Sequence, residues 1–140
     1  MNLPHTRIII VLGLANLGPL IYLTPFKEHT ELYRADPLWF GAPGLVLIAL
    51  WGAAYISAAP QWTRLPALLG VFALEKAFYA AHWMLWLGDN GERLEFLWAR
   101  DPMSAFFLSG YGAWDGLCAI YFATLMLLAR KLTTDDETPS

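Results

Sequence analysis

Glu75, Lys76 and His82 lie in the segment LEKAFYAAHW, Leu74 to Trp83, inside an otherwise apolar stretch. A carboxylate, an ammonium and an imidazole this close together could exchange protons with a bound molecule or hold its polar end. Glu75, Tyr79, His82 and Trp86 follow i, i+4, i+7, i+11 spacing, which sets them along one stripe of a helix. A further carboxylate, Asp115, interrupts another apolar stretch, where Leu108, Tyr111, Asp115, Ala119 and Phe122 form a matching stripe. Asn16 interrupts a third. On these grounds Glu75, Asp115 and His82 are the candidate acid–base residues, and Lys76, Tyr79, Tyr111, Asn16 and Trp86 the candidate ligand-binding residues.

Other chemistry finds little footing. No nucleophile–base pair, phosphate loop or paired zinc ligands can be read, and Glu28, His29 and Glu31 match no standard metal spacing, so no metal site is expected. Cys118 is the only cysteine, which excludes an internal disulfide, a CxxC pair and a cysteine-built metal site. A bis-histidine haem would need a second histidine within the membrane. His5 and His29 fall outside the apolar stretches, so no cofactor is expected either.

The elements that must position these residues follow from composition. Of 140 residues, 57% are hydrophobic and only 15% are charged, against about 25% charged in a soluble domain. The net charge of −3 gives no basic footprint for nucleic acid. Four apolar segments, 7–24, 37–59, 65–88 and 102–131, each approach the roughly 20 residues that a membrane span needs. The expected fold is all-α: a polytopic membrane protein built as an antiparallel four-transmembrane-helix bundle, one domain over residues 1–131, with a disordered polar tail over 132–140.

Local signals mark the helix ends. Asp36-Pro37 and Asp101-Pro102 read as an N-cap followed by proline at the first helical position, where its missing N–H has no partner to lose. Arg64-Leu65-Pro66 opens the third helix similarly, and Arg130 and Lys131 suit the negative end of the fourth. Pro19 is expected to kink the first helix and Pro43 to bend the second. The first segment resembles a signal sequence in charge and apolarity. Its apolar run is long for one and no A-x-A-like site follows, so it is expected to remain as a span. The amphipathic stretch 89–101 suits a short helix lying in the membrane interface, with Leu94, Leu97 and Trp98 on one side. Arg7, Arg64, Arg130 and Lys131 sit tight against helix ends, which favours both termini in the cytoplasm of a cytoplasmic-membrane protein.

Helical rise places Asn16, Glu75, Lys76 and Asp115 near mid-membrane. Each charge there costs about 2.5–3.5 kcal/mol if left alone, so the side chains are expected to turn inward and pair. Lys76 with Asp115 is the simplest pairing. Neighbours on a helix point about 100° apart, so Glu75 and Lys76 are not expected to face each other, and burial would keep Glu75 protonated. Gly112 and Gly116 form a GxxxG pattern that permits close helix approach. Three functions suit this layout: binding, with or without acid–base conversion, of a lipid-like molecule; an accessory subunit pairing with a membrane-protein partner; or proton or cation transport by a homo-oligomer.

Overall fold

The structure, a computed structural model, describes residues 3–23 and 31–136, with the backbone alone described for 19–23 and 135–136. Among the described residues the protein is all-α, with no strand. The chain forms two compact units, residues 1–61 and 62–140.

In the first unit, α1 (Leu3–Leu23) packs against α4 (Ala42–Ala58). Ile9, Leu12 and Asn16 form the buried face of α1. The two backbones meet at glycine. A Cβ on Gly13 would lie 2.6 Å from the Gly52 carbonyl oxygen, and a Cβ on Gly52 would lie 2.6 Å from the Gly13 carbonyl oxygen. Any larger residue at either point would drive the helices apart. The α1 backbone continues as helix through Pro19; residues 24–30 lie outside the described residues.

The single helix expected over 37–59 is instead two. After the short α2 (Glu31–Ala35), α3 (Pro37–Phe40) ends at Gly41, and α4 starts at Ala42. Proline inside a helix lacks an N–H and crowds the carbonyl four residues back. Pro43 escapes both penalties by standing in the first turn of a new helix. Gly41 makes the join in extended conformation (φ −78°, ψ 167°), donating to the Pro37 carbonyl at 3.1 Å and accepting from the Leu45 amide at 3.0 Å. Asp36 precedes α3 as expected, without a side-chain capping hydrogen bond. A 3₁₀ segment, Ala59–Arg64, follows α4.

In the second unit, α5 (Pro66–Asp89) and α7 (Pro102–Asp136) run antiparallel, joined through α6 (Gly91–Arg100). The facing residues are spaced three or four apart: Leu69, Phe72, Lys76 and Tyr79 on α5, and Leu108, Gly112, Asp115, Cys118, Phe122, Leu125 and Ala129 on α7 are all buried. This is the spacing of a coiled-coil seam. Phe72 meets Phe122 edge to face at 5.4 Å. The Trp83 indole covers Gly112, where any Cβ would overlap the ring, and donates to the Leu108 carbonyl oxygen at 2.7 Å. Gly116 is roomier: a Cβ there would reach only Ala80, at 3.9 Å. Close approach therefore depends on Gly112, and half of the GxxxG pattern is spare.

Two residues turn the chain between helices. Asn90 closes α5 by donating from its backbone and its side-chain amide to the Trp86 carbonyl, each at 2.9 Å, and opens α6 by accepting from the Leu94 amide at 3.0 Å. Asp101 closes α6 by donating to the Leu97 carbonyl at 2.7 Å and opens α7 by accepting from the Ala105 amide at 3.0 Å. Its carboxylate also accepts from the Ser104 hydroxyl at 2.6 Å and the Ser104 amide at 3.2 Å. The Ser104 hydroxyl bond is the main cause that holds the Asp101 carboxyl below its ordinary range. α6 is amphipathic as expected, but its apolar residues divide: Leu97 is buried while Phe96 and Trp98 are exposed. α7 runs five residues past the end expected at Lys131, and within this stretch the Thr133 and Thr134 hydroxyls donate back to the Arg130 carbonyl. The rest of the tail, 137–140, lies outside the described residues.

Two tests follow from these contacts. Gly52→Ala and Gly112→Ala should each lower stability by about 1–3 kcal/mol through overpacking, whereas Gly116→Ala should leave it nearly unchanged, as read by denaturant unfolding in detergent. Asp101→Ala should cost about 1 kcal/mol as a lost cap. A depressed carboxyl stabilises the folded state fully above its unfolded pKa of about 3.9. Amide exchange at Ser104 and Ala105 should therefore slow less and less as pH falls through the lower native value, relative to the Asp101→Ala protein.

Candidate functional site

The second unit brings the polar residues of two helices together. Lys76 Nζ donates to Asp115 Oδ1 at 2.8 Å, and both residues are buried. This is the pairing expected from the sequence. It sits midway along the α5–α7 seam, between the Phe72–Phe122 contact and the Trp83–Leu108 hydrogen bond. Glu75 is buried as well, and its Oε1 lies 3.9 Å from Lys76 Nζ. The expectation that Glu75 and Lys76 do not approach each other is thus corrected. Their Cβ atoms diverge around the helix, but both side chains are long enough for their ends to converge on the side where Asp115 stands.

Tyr79 completes the group. It is buried one turn beyond Lys76, whose ammonium stands 5.8 Å from the ring centroid, within range of the face of the ring. Two carboxylates, one ammonium and one phenol therefore share a small volume in an apolar surround. Such an arrangement can hold a proton among its members or accept a polar group that displaces part of the pair.

The other candidates stand apart. His82 is half-buried on α5, six residues from Lys76 and so about 9 Å further along the axis. Trp86 is buried near the end of the same helix, with its carbonyl engaged by Asn90. Tyr111 is half-buried among aromatic rings, stacked on Phe107 at 5.4 Å and edge-on to Trp83 at 6.4 Å. Asn16 belongs to the first unit, where its Cβ lines the Gly13–Gly52 crossing. Among the described residues no group of three or more His, Cys, Asp and Glu side chains could hold a metal ion.

An open groove of about 660 Å³ runs along α5 and α7 on the outside of this hairpin. It extends as far as Ala77 and Ala119, beside the cluster, and Glu75, Lys76 and Asp115 do not line it. The buried polar pair and this open apolar groove are therefore separate features.

Trp83, by its sequence context a packing aromatic, lies against α7 over Gly112 and donates to the Leu108 carbonyl. The signal was present: Leu69, Phe72, Lys76, Tyr79 and Trp83 alternate by three and four, a cleaner seam than the stripe through Glu75 and His82. Comparison with protein-family models, curated proteins and solved structures gave no match to this chain.

Removing either member of a buried pair strands the other. Lys76→Met and Asp115→Leu should each destabilise the protein by about 3 kcal/mol, and the double variant should regain most of that loss. Unfolding curves of the four proteins in one detergent would decide it; losses that simply add would mean the bond contributes nothing.

Proposed function

We propose that this chain is a small multi-pass membrane protein whose α5–α7 hairpin is locked by Lys76 and Asp115 and which binds a lipid-like molecule. The observation that carries the reading is the reversed distribution of polarity. Lys76 is 5% exposed, while Leu74, two residues away, is 72% exposed and Leu117, two residues from Asp115, is 64% exposed. Water would penalise that arrangement twice. A bilayer favours it, because acyl chains solvate leucine and exclude charge. Large apolar side chains are also exposed on α1 and α4, including Val11, Leu14, Val46 and Leu50, well beyond the isolated apolar patches of ordinary soluble proteins.

Two helical segments, Ala42–Arg64 and Pro102–Thr134, are long and apolar enough to cross a membrane, and Leu3–Gly18 is a shorter apolar helix. We take α1 and α5 as the remaining two spans of a four-helix protein with both termini in the cytoplasm. At 24 residues α5 is about 36 Å long, enough to cross the roughly 30 Å hydrocarbon core. What lowers its hydropathy is Glu75, Lys76 and His82, and the first two are held in the interior.

Among the three functions, lipid binding has the most support, because an open apolar groove lies beside the hairpin. Partner pairing through a mid-membrane charge needs that charge to face outward, and Glu75, Lys76 and Asp115 are all buried. Acid–base conversion by the Glu75–Lys76–Asp115 group requires a substrate that can reach it from the groove past Ala77 and Ala119.

The full-length protein should remain in the membrane fraction through alkaline carbonate washing. After gentle extraction, native mass spectrometry should detect a retained apolar molecule. Release into the soluble fraction would end the membrane reading, and a bare polypeptide mass would end the binding reading.

A further inference from the structure

The outer groove of the α5–α7 hairpin has a direction. Small residues line it, Gly70, Ala73 and Ala77 on α5 and Ala119 and Ala123 on α7, and the larger Leu74 and Ile120 stand beside them, both well exposed. Because the helices are antiparallel, Ala77 meets the level of Ala119 at one end, beside the buried ion pair. At the other end Ala67 meets the level of Arg130, the only charged residue in the lining.

From Ala67 to Ala77 the α5 axis rises about 15 Å. That is half of the roughly 30 Å hydrocarbon core. The groove therefore starts at the mid-membrane level of Lys76 and Asp115 and ends where a phospholipid headgroup sits, with an exposed guanidinium at that level. A transmembrane helix of another chain would meet a groove of this depth over one leaflet only and would bring its own polar flank against Arg130. A single acyl chain matches both the length and the apolar lining, and a phosphate matches the charge.

The geometry points to an anionic phospholipid as the occupant, from the leaflet on the side of the C-terminal tail, with one acyl chain along the Ala73–Ala123 groove and its phosphate at Arg130. This rests on the lipid-binding reading above and specifies its site and headgroup class. The groove is a binding surface distinct from the Lys76–Asp115 pair.

The test uses full-length protein reconstituted with equal amounts of phosphatidylglycerol and phosphatidylcholine carrying the same chains, then released for native mass spectrometry. Wild type should retain one phospholipid, with phosphatidylglycerol favoured about fivefold, the attraction expected for one arginine at the membrane surface. Arg130→Gln should keep a lipid and lose the preference, while Lys131→Gln, outside the groove, should behave as wild type. Ala123→Trp and Ala77→Trp fill the groove at its middle and at its mid-membrane end and should each abolish retention. The groove inference is overturned if Arg130→Gln keeps the preference, if both tryptophan variants keep the lipid, or if they convert a dimer of wild type to monomer. Retention that survives groove filling leaves the lipid-binding reading standing without this site; wild type that retains nothing ends both.

Discussion

The Lys76–Asp115 hydrogen bond, 2.8 Å long and buried, constrains everything else in the second unit. In an apolar interior the alternative to this bond is a charge with nothing to meet it, which is far worse than a lost contact between leucines. The bond therefore forbids sliding of α5 along α7, and it selects one register from the several that an alternating three–four seam of apolar residues would tolerate. Phe72–Phe122 on one side and Trp83–Leu108 on the other then fall into place at fixed distances. Glu75, at 3.9 Å from the same ammonium, is drawn into the same volume.

The bilayer proposed above explains why such a pair is used at all. Association of apolar helices gains little in lipid, since the acyl chains are as apolar as the seam. Close packing and polar contacts have to take over the work that hydrophobic burial does in water. Both are visible. Gly13 and Gly52 bring two backbones into direct contact in one unit, and Gly112 lets the Trp83 indole lie against the α7 backbone in the other. These contacts gain dispersion energy only because no side chain intervenes. The exposed leucines need no protein partner under the membrane reading proposed above.

The turns show the same economy. Asn90 and Asp101 each end one helix and begin the next, so α6 is fixed at both ends by single residues. Orphan backbone groups at helix ends must be satisfied wherever water is scarce, and doubling the cap meets that need in the shortest connection.

Much of this was legible in the sequence because it is local. Helix class follows from composition, the starts of α5 and α7 from Pro66 and Pro102, and the inward pairing of Lys76 with Asp115 from the energy of a mid-membrane charge. The break at Gly41 was half visible in Pro43, whose effect depends on whether the chain has room to restart a helix. Other features depend on which residue of one helix stands opposite which residue of another. Gly13 against Gly52, Trp83 over Gly112, and the separation of a closed ion pair from an open groove all follow from register and crossing point. Those are set by contacts between distant segments, which periodicity along one strand of sequence does not encode. The sequence alone determined that charges would be buried in helices and would have to pair; only the tertiary structure decided that Glu75 joins the pair and that the open groove lies apart from it, because both depend on how α5 and α7 face each other.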